Sequence, residues 1–374
     1  MSQWYSAKLS DLVNITIGRT PSRGDLSLWD KEKSSDNAWL SIADLLNADG
    51  NIISDSREYI TDKAARKFDP VPAGTLLVSF KLTLGRLAFS GRTLRTNEAI
   101  AALRNDESKI CNEFLYHYLS FFDWKAYAAA DQKLKGLTLN KAKLGEIIVK
   151  YPESIEMQKE MARLLDAAFE KIDKASESTE KNLQNARKLF TSELNNTFSR
   201  AGTIKNLGDV VTLQRGFDLP KQNRKAGEYR LVSSSGIIDT HDEFKVTGPG
   251  VYTGRSGSVG KTFYEEGNFW PLNTTLYVKD FHSNNPKYCF WLLKNFDLAS
   301  FAGGTGVPTL NRNLVHVVKV RVHSIDEQRH VVSRIDRLYE QTQELQKLYR
   351  QKLDDLGALK QSLLKQAFLG NNVE

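Results

Sequence analysis

The chain has 374 residues, 40% hydrophobic and 26% charged, with a formal net charge of +7. That balance excludes a disordered polyelectrolyte, and no apolar run approaches the ~20 residues a membrane helix needs. The length suits two or three domains of about 100–200 residues each. The charge is unevenly placed: residues 1–154 carry +2 and residues 203–325 carry +5, whereas 155–202 and 326–374 are neutral. A modest basic excess suits a polyanionic partner without identifying one. The first residues lack the basic start and apolar core of a secretion signal. The two cysteines, Cys111 and Cys289, are far apart and have no metal-ligand spacing. A cytoplasmic protein with reduced, structurally incidental thiols and no membrane partner is expected.

In chain order, residues 1–154 read as a mixed α/β globular unit. Val71–Phe80 is a turn with Pro72 and Gly74 entering an apolar strand. Phe114–Leu119 is an aromatic helix in which His117 suits the core better than catalysis. Residues 155–202 read as one long helix of ~43 residues, roughly 65 Å at 1.5 Å per residue. Pro and Gly are absent from 157–199, and Met161, Leu165, Ala168, Ile172, Ala175 and Thr179 step 4-3-4-3-4, the spacing of a coiled-coil seam. Residues 203–325 read as a second mixed α/β unit, with Gly248–Arg255 the counterpart of Val71–Phe80. Residues 326–374 form a second long helix with seam positions Val331, Ile335, Leu338, Thr342, Leu345 and Tyr349, resuming at Leu356, Leu359 and Leu363. Asn182 and Lys352 place polar residues at one shared seam position. Gly202 and Gly370 lie just past the two helices, where helices often stop. All six tryptophans fall in the globular units, and most read as core anchors rather than base-stacking platforms.

The order globular unit, long helix, globular unit, long helix is an internal repeat. Ile155-Glu156-Met157-Gln158 answers Ile325-Asp326-Glu327-Gln328 at an offset of 170, which holds without a gap through Leu183 with Leu353, Leu189 with Leu359 and Phe198 with Phe368. Upstream, Leu139-Asn140 answers Leu310-Asn311, Phe114–Leu119 answers Tyr288–Leu293, and Leu9–Val13 answers Leu207–Val211. The ends of the globular units match and their middles do not, as two scaffolds of one design carrying different working surfaces would. Neither helix can bury its stripe alone, so an antiparallel pair is expected, the alternative being that each packs on its own globular unit or mediates dimerisation. That pairing returns the end of the second helix to the first globular unit and gives the chain an approximate two-fold repeat.

Several motifs point elsewhere and fail on spacing. Gly254–Thr262 resembles a phosphate loop, but five residues separate Gly254 from Gly260-Lys261 and two separate Gly257 from it, where four are needed. A strand, not a helix, is expected after it. The six histidines form no ligand spacing. Ser233-Ser234-Ser235 lacks the Gly-x-Ser-x-Gly elbow of a nucleophile. The Asn-Pro-Pro-aromatic motif of adenine methylation is absent.

The pattern Gly18-Arg19-Thr20-Pro21-Ser22, Trp29 and Trp39–Leu45 in the first unit resembles the specificity subunits of Type I restriction–modification enzymes. So does the second unit, with Leu231–Gly236, Thr253–Lys261 and Trp270–Thr275, and so does the Leu-Asn, Ile-Glu/Asp-x-Gln and long-helix order closing each half. The resemblance spans essentially the whole chain. It departs where the usual proline-rich link before the Gln is reduced to Pro152 and is absent at Val322-His323.

The resemblance implies two mixed α/β target-recognition domains, 1–154 and 203–325, separated by the antiparallel coiled-coil helices 155–202 and 326–374. It implies a non-catalytic chain that reads a split, asymmetric target in double-stranded DNA while its rod spans the unread spacer. Two adenine methyltransferase subunits and two ATP-dependent restriction subunits would dock on it. S-adenosylmethionine, ATP and Mg would be held by those partners and none by this chain. For base contact the candidates are Arg19, Ser22, Lys81 and Arg86 in the first unit. In the second they are Arg215, Arg230, Ser233, Ser234, Arg255 and Lys261, with Asn311 and Arg312 beside them. Arg suits guanine and Asn adenine in the major groove. Each of these could equally be a solvated charge or a phosphate contact. Two other readings stay open: a coiled-coil adaptor that binds only protein, and a nucleotide-dependent enzyme using the Gly254–Thr262 loop.

Overall fold

The computed structural model describes residues 3–48, 50–129, 138–304 and 306–369. In chain order the first half holds β1 (Trp4–Lys8), α1 (Leu9–Leu12), β2 (Val13–Ile17), β3 (Ala38–Leu40), β4 (Ile52–Ile53), β5 (Glu58–Tyr59) and α2 (Asp62–Ala65). It continues with β6 (Leu76–Ser79), β7 (Leu87–Ser90), β8 (Arg95–Thr96), β9 (Ile100–Asn105), α3 (Asn112–Phe121), α4 (Trp124–Ala129), α5 (Lys141–Gly145), β10 (Ile148–Pro152) and the long α6 (Ile155–Arg200). The second half holds β11 (Thr203–Asn206), β12 (Thr212–Arg215), β13 (Tyr229–Ser233), β14 (Gly236–His241), β15 (Gly250–Gly254), β16 (Thr262–Glu265), β17 (Phe269–Pro271) and β18 (Thr275–Asp280). It ends with α7 (Pro286–Asn295), β19 (Ala302–Gly303), β20 (Thr309–Leu310), α8 (Arg312–His316), β21 (Lys319–Val322) and the long α9 (Ile325–Leu369).

The chain divides into two compact units, one running to Glu177 and resuming at Asp354, the other spanning Ser178–Leu353. In the first, a five-stranded sheet has the order β2-β9-β6-β7-β4, with a small sheet β5-β3-β8 beside it. Leu76–Val78 and Ile100–Leu103 are buried on both faces, as central strands covered from both sides require. In the second unit the sheets are β12-β18-β15-β16 and β14-β13-β17. The small sheets have one topology: β3 pairs antiparallel with β5 and parallel with β8, as β13 does with β14 and β17. β1 pairs with β10 and β11 with β21, closing each globular part where it meets its long helix.

Each unit's core takes in both long helices. In the first, Ala162 and Leu165 of α6 and Leu364 and Phe368 of α9 join the cluster built on α3. Phe368 packs edge-on against Phe114 at 5.5 Å, and Lys360 of α9 forms an ion pair with Asp173 of α6. The helices therefore run antiparallel here, and the end of α9 returns to the first globular part. In the second unit Phe190 meets Tyr339 at 5.4 Å, Arg187 donates to Gln346 and Arg334 donates to Thr197, again antiparallel. Phe198 packs on Tyr288 at 5.4 Å, the same contact made by the equivalent residues.

The seam departs from its expected course in both copies. Leu165, Ile172, Ile335 and the threonines Thr179 and Thr342 are buried, with Met161, Val331 and Leu338 partly so. Leu345 is not a seam residue: it is 44% exposed, and Gln346, held by Arg187, takes the buried place. Asn182 and Lys352 are exposed, and the paired Leu183 and Leu353 turn inward instead. A helix with 3.6 residues per turn drifts about 20° per heptad from a strict 3.5 repeat, so the buried stripe moves on by one position. Gly202 lies just past α6, with φ +100; Gly370 lies outside the described residues. Among the described residues no helix is long and apolar enough to cross a membrane.

Candidate nucleic-acid interface

The motifs that repeat turn out to be joints. Asn140 and Asn311 are N-caps: Oδ1 of Asn140 accepts from Lys143 N–H at 2.8 Å and Oδ1 of Asn311 from Asn313 N–H at 3.0 Å. Gln158 and Gln328 are fully buried. Gln158 accepts from Cys111 N–H (2.8 Å) and donates to the Pro152 carbonyl (2.9 Å). Gln328 accepts from Asn285 N–H (2.9 Å) and donates to the His323 carbonyl (3.1 Å). Each Gln thus ties the start of a long helix to the start of the aromatic helix of its own unit. His117 contacts Asp166 through Nε2 at 2.8 Å, and its counterpart Trp291 donates to Asp336, the counterpart of Asp166, at 2.8 Å. Burial holds the His117 pKa below its ordinary value, which suits a neutral core residue. Both cysteines are buried free thiols, pushed by burial to about 11 for Cys111 and about 12 for Cys289. Trp39, Trp124, Trp270 and Trp291 are core.

The sequence middles, which do not match, nevertheless hold equivalent places. Gly18 and Gly216 follow β2 and β12, and a side chain at either would strike backbone of the small sheet, the Thr96 carbonyl in one unit and the Leu272 carbonyl in the other. After them Arg19 N–H donates to the Thr96 carbonyl (2.9 Å) and Phe217 N–H to the Pro271 carbonyl (2.8 Å). Between β6 and β7 runs the loop 80–86, and between β15 and β16 the loop 255–261. Ser79 N–H donates to the Arg86 carbonyl at 2.9 Å, and Gly254 N–H to the Lys261 carbonyl at 3.0 Å. Leu139 N–H donates to the Phe80 carbonyl at 2.9 Å, and Leu310 N–H to the Arg255 carbonyl at 2.8 Å. Gly85 and Gly260 take φ of +75 and +81, and Leu82 and Gly257 take φ of +62 and +81. The phosphate-loop-like segment is therefore a turn between antiparallel strands. The helix whose N-terminus such a loop needs is replaced by β16.

In the first unit Arg19 and Ser22 are exposed, and Ser22 accepts the Trp29 indole through its carbonyl at 3.0 Å. Arg23, which sequence reasoning passed over, lies over the Trp29 ring at 4.0 Å and forms an ion pair with Glu58. Its signal was an Arg beside a Trp pair in a turn, which composition alone does not distinguish. Lys81 and Arg86 are half-buried at the two ends of the loop 80–86, and Arg86 Nη1 is buried without a partner among the described residues.

In the second unit the strand ends bring most candidates together. Arg215 binds Asp218 at 3.0 Å, Asn273 also donates to Asp218, and Arg255 donates to the Asn273 carbonyl at 3.4 Å. Ser234 N–H reaches Thr274 Oγ1 at 3.4 Å, and Ser233 shares a bond with Ser235 at 2.9 Å. Lys261 is exposed at the end of the same loop. Arg312 donates to the Leu213 carbonyl at 3.2 Å, and the Asn311 side chain is engaged as a cap. Arg230 stands apart, at the far end of β13, held by the buried Glu265 at 2.7 Å. The arrangement presents cations and hydroxyls from several strand ends, with bonds of 2.9–3.4 Å holding several of these residues in place, and this suits a polyanion carrying donor and acceptor groups.

Residues 1–184 and 203–354 match the model of the Type I restriction modification DNA specificity domain. The Escherichia coli protein "Type I restriction enzyme EcoprrI specificity subunit" is 22% identical over 348 residues, 88% of this chain and 86% of that one. The fold is similar to a chain solved in a study of complex assembly and conformational transition of the type I R-M system, with a TM-score of 0.80, 14% identity and 98% of each chain covered. It is also similar to the HsdS subunit from Thermoanaerobacter tengcongensis, with a TM-score of 0.61, 15% identity and coverage of 98% and 97%. The chain belongs to the Type I restriction–modification specificity subunits.

Proposed function

We propose that each globular part reads one half of a split, asymmetric sequence in double-stranded DNA, and that the chain holds the two readings in one assembly with methyltransferase and restriction subunits. The observation that carries this is the duplicated loop edge: one backbone frame, 80–86 and 255–261, bearing unlike side chains in its two copies. A protein that bound only another protein through its helices would have no use for two unlike cationic edges on like frames. The base-contact candidates are Arg19, Ser22, Lys81 and Arg86 in one half and Arg215, Ser233, Ser234, Arg255 and Lys261 in the other, while Arg230, Asn311 and Arg312 serve structure first.

Adenine is methylated by two partner subunits, which hold S-adenosylmethionine, while restriction subunits use ATP and Mg. This chain supplies position rather than chemistry. The equivalent leucines Leu189 and Leu359 are 66% and 45% exposed, one in each unit, and offer like contacts to a partner present in two copies. Mixed-sequence DNA retention measured against salt tests the reading. The assembled complex should bind a specific duplex and lose affinity steeply as salt rises, and the isolated chain should methylate nothing. Methylation by the chain alone, or salt-independent retention, would overturn it.

A further inference from the structure

Leu82 occupies a place that folding does not explain. It is 77% exposed, the most exposed large apolar side chain among the described residues, and its φ is +62. Thr83 N–H donates to the Lys81 carbonyl at 2.7 Å, so Leu82 is the centre of a three-residue turn of the strained hand. A side chain with a Cβ is disfavoured there, and the same place in the other unit is Gly257. Burial gives nothing back.

The loop is nonetheless built to hold this residue still. The fully buried Ser79 donates through Oγ to the Thr83 carbonyl at 2.5 Å and accepts from Arg86 N–H at 3.0 Å. Gly85, which must be glycine because a Cβ would strike Trp124, closes the loop from the other side. Lys81 and Arg86 flank the tip with positive charge. An apolar tip kept rigid and strained between two cations is arranged for contact with something apolar set within a polyanion. The major groove of DNA has one such feature, the 5-methyl group of thymine.

Resting on the reading of the loop edge as a DNA surface, we infer that Leu82 is a specificity residue of the first globular part, contacting the methyl group of one thymine in its half-site. The test uses the chain assembled with its methyltransferase partners and a duplex carrying the mapped target. Each thymine is replaced singly by uracil, which lacks only that methyl group. Affinity should fall about fourfold at one thymine of one half-site, the worth of a single buried methyl group. Leu82→Ala should bind thymine and uracil equally at that position and keep its discrimination elsewhere. Leu82→Gly should do the same and melt at a higher temperature than the wild type, which guards against loss of fold. A wild-type complex that reads its target but is indifferent to uracil everywhere, or a Leu82→Ala complex that keeps the preference, overturns this inference alone. A wild-type complex with no sequence preference at all overturns the reading beneath it.

Discussion

The two globular parts place unlike residues in like positions. At the end of the first sheet strand one has Ile17-Gly18-Arg19 and the other Arg215-Gly216-Phe217, with both glycines pressed against the small sheet. At the loop start Phe80 is fully buried in one and its counterpart Arg255 is half-exposed in the other. Only the glycines and the backbone bonds are common to both. Around the joints the reverse holds: Gln158 and Gln328, Asn140 and Asn311, and Phe368 and Phe198 keep their chemistry because each satisfies buried groups or fills a core. The difference teaches that the two parts share a backbone frame and the contacts that close their cores, and differ in the side chains that the frame carries.

The comparison can be broken most forcibly at the aromatic joints. Phe198→Ala in the second unit and Phe368→Ala in the first should each cost about 3–5 kcal/mol, because each ring is buried in a core from the last turn of its long helix. Hydrogen exchange resolved by unit would check this, and clearly unequal losses would show that the two joints differ. Gln158→Ala and Gln328→Ala should each cost about 2–3 kcal/mol by leaving a buried N–H and carbonyl unpaired. Thermal melts showing one severe and one neutral would break the equivalence of the joints.

Acid acts on both units. Burial holds His117 of the first unit and His316 and His323 of the second below their ordinary value. As pH falls below about 6.5 the unfolded chain takes up protons that these folded sites resist, so their stability contribution, full above that pH, is lost. Both units should therefore lose protection against hydrogen exchange between pH 7 and 5.5; protection that rises in either unit as the pH falls would contradict this. The smallest effect belongs to Leu345→Ser, within about 0.5 kcal/mol because the residue lies off the seam. A loss comparable to that of Ile335→Ala would restore Leu345 to it.

Much of this architecture was legible in the residues. The helices stand out because the 170 offset is unbroken from Ile155 to Phe198, and the pairing follows from two stripes that cannot bury themselves. The equivalence of the middles was hidden by insertions. The offset is 198 at Gly18 and Gly216, 175 at Gly85 and Gly260, and 170 in the helices. Much of the change falls in the small sheet, where the long link from Leu40 to Glu58 in one part is the tight turn from Ser233 to Gly236 in the other. The site was legible only as residue type. Arg230 looked as available as Arg255, and nothing in the spacing announces that Glu265, paired across the sheet with Gly250, is buried beside it.

The central claim, that two unlike edges on one frame read two unlike half-sites independently, is tested most directly by genome-wide mapping of methylated adenines in cells carrying Arg255→Ala. If Arg255 reads a guanine, the variant should lose about 1–3 kcal/mol of discrimination at one base pair. One position of one half-site should relax, while the other half-site and the spacer stay as they were. Relaxation in both half-sites, or a uniform fall in methylation at every site with no change of sequence, would contradict the account.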